Sequence, residues 1–405
     1  MTSALSHLEC SSCGERYDAD RPQQVCRDGK PLLARYDLAA AARTMTRAAL
    51  QAREPALWRY EELLPLREPA QRVSLGETMT PLLPLPRASA RYGCELFVKD
   101  EALLPSGSFK ARGAAVGVSR ARELGISAFG MPTNGNAGGA WSAYAARAGM
   151  TAHIVMPRSA PNVNRLETVM TGADAYLVDG LISDAGKIVA RAVARDGWFD
   201  ASTLKEPYRI EGKKTMGFEL AEQFGWTVPD VVVYPTGGGV GLIGIDKALH
   251  ELHALGLIGP KMPRMVAVQS TGCAPVAEAF ARGAPESTFW NDARTVAFGI
   301  TVPKPLGDFI ILRALRETHG TALAVDDVEI LDKQREFATD EGVFVCPEGG
   351  ATLAAVAALR ATGWIAPGER VVLINTGAGV KYPDVPYEQP PLLAPEDDVA
   401  GAVRR

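Results

Sequence analysis

The stretch DVVVYPTGGGVGLIGIDKALHELHALG, residues 230–256, contains an apolar run, a glycine cluster and a helix-forming segment in that order. The run 230–236 has the length and β-branched content of a buried strand. Gly237, Gly238 and Gly239 let main-chain N–H groups approach an anion where the next helix starts. Gly239, Gly241 and Gly244 also fit G-x-G-x-x-G, the dinucleotide pattern, which needs an acid at the end of the next strand. That strand, RMVAVQS (264–270), ends in Gln269 and Ser270. The loop therefore reads as a cradle for a single phosphate rather than for a dinucleotide. GKKT (212–215) is not a P-loop, because Pro207 stands where that motif needs glycine.

The same alternation extends outward. ELFVKD (95–100), AFGMPT, TAHIVMP and RVVLINT (370–376) read as strands. FKARGAAVGVSRARELG and NAGGAWSAYAARAG read as helices, as does the Ala-rich segment 37–53. Strands alternating with helices predict an α/β fold of parallel sheets covered on both faces. Ligands in such folds sit beyond the carboxyl ends of the strands, where the Gly, Ser, Thr and Asn clusters of this chain fall.

One of these clusters contains a lysine. In LPSGSFKARGA (104–114), Lys110 follows a Ser-Gly-Ser turn at a predicted helix start. A helix N-terminus and burial both disfavour the ammonium form, which would free the amine for Schiff-base chemistry. Taken alone, the stretch reads first as a solvated surface lysine, the commoner fate of that residue type. PTNGNAGGAWS (132–142) is a second strand-to-helix turn, either an anion site or an ordinary glycine turn. CPEGGAT (346–352) and INTGAGVKYP (374–383) place further small residues, with Thr376, at strand ends.

Length and composition limit the remaining possibilities. The 405 residues, 47% hydrophobic and 22% charged, suit a soluble chain of two or three domains. A net charge of −4 with scattered basic residues argues against nucleic acid or an anionic membrane as partner. No apolar run reaches spanning length and no secretory pattern opens the sequence, so a cytoplasmic location is expected. Six cysteines in a chain this long do not make a disulfide framework. Cys10 and Cys13, with Cys26, have zinc-knuckle spacing but supply only three ligands. Asp28 or His7 would be the fourth; a degenerate ribbon that folds without metal is the alternative.

Taken in order, these segments resemble the threonine synthases, pyridoxal-phosphate enzymes of the tryptophan-synthase-β fold type. The resemblance rests on the cysteine ribbon, PLLARYD (31–37), WRYEELLP (58–65), LGETMTPLL, SFKARG, GNAG before SAYAARAG, YRIEGKKT (208–215), the glycine loop and TGAGVKYP. It implies two open parallel-sheet domains (fold type II) after a small ribbon at 1–35. The large cofactor-binding domain would span 36–94 and 205–385, the small domain 95–204 and a tail 386–405. A homodimer is the expected assembly.

By the same resemblance Lys110 would hold the cofactor and move protons. Asn136 would bond its phenolic oxygen, and Thr376 would face its ring nitrogen. The backbone of Gly237, Gly238, Gly239, Val240 and Gly241 would hold its phosphate. Ser108, Thr133, Asn134 and Gly135 would bind substrate, the last three its carboxylate. Arg158 and Arg209, with Arg165 and Lys205, are the candidates for a substrate phosphate. The implied reaction converts O-phospho-L-homoserine and water to L-threonine and phosphate. The sequence departs from the family at Ala111, where relatives often carry Asp, in its GGGVG loop, and at Asp28 in place of a fourth ribbon cysteine. The first two keep open a Ser/Thr ammonia-lyase or a β-replacement enzyme using O-phosphoserine.

Overall fold

The apolar run at 230–236 becomes the strand Val231–Pro235, every residue of which is buried. It lies inside a six-stranded sheet ordered Thr321–Val325, Arg264–Ser270, Val231–Pro235, Arg370–Asn375, Glu95–Asp100, Leu82–Pro84. All neighbours run parallel except the short edge strand Leu82–Pro84. The computed structural model describes residues 3–387 and 389–395.

The pleat sends alternate residues to two cores. Val232, Tyr234, Met265, Ala267, Val372 and Ile374 pack under the helices Arg209–Gln223 and Val240–Ala254. Val231, Val233, Val266, Val268, Val371 and Leu373 pack under Asp327–Glu341 and Pro347–Ala361. Burial on both faces explains why these strands are continuous apolar runs.

A second, four-stranded parallel sheet is ordered Asp174–Val178, Thr151–Pro157, Ala128–Pro132, Phe199–Asp200. The expected ribbon is a three-stranded antiparallel sheet of Arg16–Tyr17, Leu5–Cys10 and Leu32–Tyr36. Among the described residues no helix is long and apolar enough to cross a membrane.

Two expectations need correction. Glu95–Asp100 pairs with Arg370–Asn375 of the larger sheet, so the boundary expected at 95 falls one strand early. The Ala-rich segment 37–53 is two short helices, Leu38–Ala42 and Arg47–Ala52, rather than one. Thr46 separates them: its backbone is extended and its hydroxyl accepts the Ala49 N–H at 3.1 Å, an N-cap that starts a new helix. Of the expected tail, residues 386, 387 and 389–395 form no helix or strand, and 388 and 396–405 lie outside the described residues.

Candidate active site

Four loops meet where strands end. Lys110 follows the strand Glu95–Asp100 after two 3-10 turns, Glu101–Leu103 and Pro105–Gly107; residues 133–135 follow Ala128–Pro132, Gly237–Gly239 follow Val231–Pro235, and Thr376 follows Arg370–Asn375. They border a cleft of about 300 Å³ walled by Lys110, Thr133–Asn136, Gly237–Val240, Glu348, Thr376 and Tyr382.

Lys110 is the first residue of the helix Lys110–Glu123. The turn before it is strained, with Ser106 at φ +62° and Gly107 at +60°. It is fastened to the end of the central strand: Phe109 N–H donates to Thr376 O at 3.0 Å and Ala378 N–H to Gly107 O at 2.9 Å. Two residues on, Arg112 anchors the helix from below. Its guanidinium donates to Glu101 and Glu219, Lys99 Nζ joins Glu219 at 2.6 Å, and all four side chains are fully buried. Two cations face two anions, so the cluster is neutral. The buried Lys213 donates to Phe109 O and lies 3.6 Å from the centre of the Phe109 ring.

Desolvation, helped by the nearby Arg209 charge, pulls the Lys110 ammonium down to about 8, against the opposing charge of Glu348. The amine is thus far easier to deprotonate than an ordinary lysine. Glu348 accepts Gly299 N–H at 2.6 Å through Oε1, while its buried Oε2 has no partner. Burial first, then the Glu348 charge, pushes the Tyr382 hydroxyl well above its usual range. Tyr382 Oη accepts from Asn136 Nδ2 at 3.3 Å, and Asn136 Oδ1 is buried without a partner. Thr376 Oγ1 lies 3.5 Å from Cys346 Sγ.

The cleft collects most, but not all, of the expected residues. Gly241 turns away: its N–H meets the Tyr234 hydroxyl, and a Cβ there would stand 2.1 Å from that oxygen. Thr133 Oγ1 accepts the N–H groups of Gly135 and Gly138, and Asn134 donates to Thr301 O at 2.8 Å, tying the smaller sheet to the loop 298–303. Ser108 is fully buried and not on the wall. Arg158 is exposed and off the wall, and Arg165 is engaged with Ala160 O and Arg158 O. Arg209 is buried and committed to Glu206, Thr203 and Ala201 O. The cations on the wall besides Lys110 are Lys205, held by Asp200 at 2.9 Å, and Lys304, held by Asp308 at 2.5 Å. The three ribbon cysteines lie together elsewhere, with Asp28; His7 instead pairs with Glu9 at 3.7 Å.

Residues 73–377 match the family described as "Pyridoxal-phosphate dependent enzyme". The chain belongs to the pyridoxal-phosphate-dependent enzyme family. Within it, threonine synthase of Methanocaldococcus jannaschii is 35% identical over 377 residues, 93% of each chain. The same enzyme of Methanosarcina acetivorans is 35% identical over 94% of this chain and 93% of its own, and that of Mycobacterium bovis 34% over 83% and 91%. Among solved structures, maize serine racemase superposes with TM-score 0.64 at 24% identity, over 74% of this chain and 88% of its own. A fungal L-serine ammonia-lyase from Rhizomucor miehei gives 0.63 at 22%, over 76% and 98%. At that identity these two support the fold alone.

The cleft fits the cofactor of this pyridoxal-phosphate-dependent family. A Cβ on Gly237 would stand 2.9 Å from Gly299 O, and one on Gly239 2.1 Å from Ile311 Cδ1. Only bare backbone fits there, at the start of a helix whose first N–H groups have no intrahelical acceptor. The unpartnered Asn136 Oδ1, an acceptor suited to a phenolic hydroxyl, and the easily deprotonated Lys110 amine complete a set of groups that matches the cofactor. Sequence reasoning missed Tyr234, Phe298, Gly299, Lys304, Glu348 and Tyr382 on this wall. Glu348 was within reach, as an acid in the first turn after the Cys346–Pro347 helix start.

Proposed function

We propose that the protein is a threonine synthase, converting O-phospho-L-homoserine and water to L-threonine and phosphate. The observation that carries this reading is the presence of Lys205 and Lys304 in the same cleft as the neutral glycine cradle. The cradle suffices for the cofactor's phosphate. Two further cations on the wall suit a substrate that brings a phosphate of its own. The identity to threonine synthases over more than nine-tenths of both chains supports the same substrate.

In this reading Lys110 holds the cofactor through its amine, Gly237–Val240 N–H groups take its phosphate, and Asn136 and Thr376 flank its ring. When bound, pyridoxal phosphate supplies an electron sink for the charge left on the substrate's α-carbon. The Lys110 amine, neutral in a large fraction near its depressed pKa, removes the α-proton. Thr133 and Gly135 orient the substrate carboxylate at the helix start. A β-proton is lost next, and its electron pair expels the phosphate from the γ-carbon into the grip of Lys205 and Lys304. The oxygen of water ends on the β-carbon, and protons return to the α- and γ-carbons. Ala111 does not weigh against this substrate. It is fully buried among apolar neighbours and absent from the wall, since a helix turns about 100° between Lys110 and the next residue.

Product analysis tests the proposal. The holoenzyme is given O-phospho-L-homoserine, O-phosphoserine, serine and threonine separately, and phosphate, threonine and 2-oxo acid are assayed. Threonine and phosphate in equal amounts from phosphohomoserine are expected. A 2-oxo acid from serine or threonine as the main product would establish an ammonia-lyase instead.

A further inference from the structure

The N-terminal ribbon holds a second constellation, remote from the cleft. The ligand atoms of Cys10, Cys13, Cys26 and Asp28 all lie within 4.8 Å of one another. They come from two turns, Cys10-Ser11-Ser12-Cys13-Gly14 and Cys26-Arg27-Asp28-Gly29, each closed by a glycine at φ +75°. Asp28 precedes its glycine as Cys13 precedes Gly14.

We propose that these four residues bind a structural zinc ion through three thiolates and one carboxylate. The spacing fits a tetrahedron around zinc. With Zn–S of about 2.3 Å and Zn–O of about 2.1 Å, tetrahedral edges are about 3.8 Å between sulfurs and about 3.6 Å between sulfur and oxygen. Cys13 Sγ and Cys26 Sγ are 3.6 Å apart, and Cys10 Sγ is 3.5 and 3.7 Å from the two Asp28 oxygens. Hydrogen-bond donors face two of the sulfurs. Ser12 and Cys13 N–H both point at Cys10 Sγ at 3.4 Å, and the Tyr17 hydroxyl donates to Cys26 Sγ at 3.2 Å. Lys30 N–H fixes the Asp28 carboxylate at 2.9 Å, the outer-shell contact that orients a ligand. Three sulfurs select zinc over hard cations such as magnesium or calcium, and four ligands from protein make a closed, structural site.

The ion would fix the loop that braces the helix of Lys110. Between the two turns, Ala19 O accepts from Arg120 and from the Tyr208 hydroxyl, and Asp20 pairs with Arg120 at 2.8 Å. Arg120 lies in the helix that Lys110 begins.

The test uses full-length holoenzyme made in zinc-supplemented medium, handled without oxygen, dialysed and analysed by atomic emission. About one zinc per chain is expected. In competition with a chromogenic chelator, C13S and D28N should each release zinc at least tenfold more readily, and D28C should hold it more tightly. Both altered side chains are exposed, so the variants should fold, which circular dichroism verifies. Cobalt in place of zinc should give the thiolate-to-metal absorption of a tetrahedral site. Stripping the metal should lower the melting temperature of the parent protein and leave that of C13S unmoved. Three results would overturn the proposal: reduced protein that carries and takes up neither ion, zinc content unchanged in both C13S and D28N, or a Cys13–Cys26 disulfide in protein kept from oxygen.

Discussion

Gly212 packs directly on the backbone of Arg112, so that a Cβ on Gly212 would stand 2.0 Å from the Arg112 carbonyl oxygen. On the facing side, a Cβ on Gly113 would come within 3.1 Å of Arg209. The Lys110 helix therefore crosses Arg209–Gln223 with no room for a side chain. Because the obstacle is backbone, it gives way only if the helix moves. Gly212→Ala should destabilise the protein by about 3 kcal/mol, at the upper end of overpacking effects. It should also weaken cofactor retention, because the shift carries Lys110 with it. Urea melts and cofactor content check this; a variant as stable as the parent would show that the helices separate freely.

Arg112 supplies the next prediction. Removing one partner from a buried ion pair leaves an unpaired charge and costs about 3–5 kcal/mol. Arg112→Met should do so at neutral pH. The pH dependence follows from Glu219, held at about 2 in the folded chain by Arg112 and then Lys99 against the cost of burial. A carboxyl depressed below its usual 4.5 contributes stability that is complete above the unfolded value and is lost as pH falls toward about 2. The parent should lose stability in that window. The gap between parent and variant should narrow there, because protonation neutralises the carboxylates left unpaired. A gap constant from pH 7 to 3 would contradict this account.

The depressed ammonium of Lys110 bears on cofactor uptake. Only the neutral amine attacks an aldehyde. At pH 7 about a tenth of a group titrating near 8 is neutral, roughly 300-fold more than for an unperturbed lysine. The initial rate of pyridoxal phosphate uptake by cofactor-stripped protein should rise with pH and reach half its plateau near pH 8. Lys110→Ala should abolish the visible absorbance of the bound cofactor at every pH. A midpoint near 10 would show that the site does not desolvate the amine.

The sequence made the strands that border the cleft and the glycine turns after them legible, because both-face burial makes continuous apolar runs and bare-backbone turns demand glycine. Lys110, Asn136, Gly237–Gly239 and Thr376 were read from those signals and the family resemblance, and all line one cleft. What escaped was long-range. Glu95–Asp100 is plainly a strand, but its sheet is set by Arg370–Asn375, some 275 positions away. Arg209 has a charge suited to phosphate, but its side chain is buried away from the wall, its guanidinium spent on Glu206, Thr203 and Ala201 O. Lys304 lies in the segment 282–307, whose only helix is the short turn Phe298–Ile300, so no periodicity marks it.

Lys304 therefore offers the sharpest test of substrate. Its ammonium is held by Asp308 and Ser287 O, yet Asp308 also accepts the Ser287 N–H at 2.8 Å and hydroxyl at 2.5 Å. Lys304→Met thus removes the charge while its partner stays bonded, and the fold should survive. A hydrogen bond to a charged group contributes about 1.5–3 kcal/mol, roughly 10- to 150-fold in affinity. If Lys304 grips the substrate phosphate, KM for O-phospho-L-homoserine should rise at least tenfold in the variant. Cofactor affinity and binding of a phosphate-free homoserine analogue should not change. Equal losses for phosphorylated and unphosphorylated ligands would mean that Lys304 shapes the wall without reading the phosphate. An unchanged KM would move that role to Lys205, which Lys205→Met would then test by the same pair of ligands.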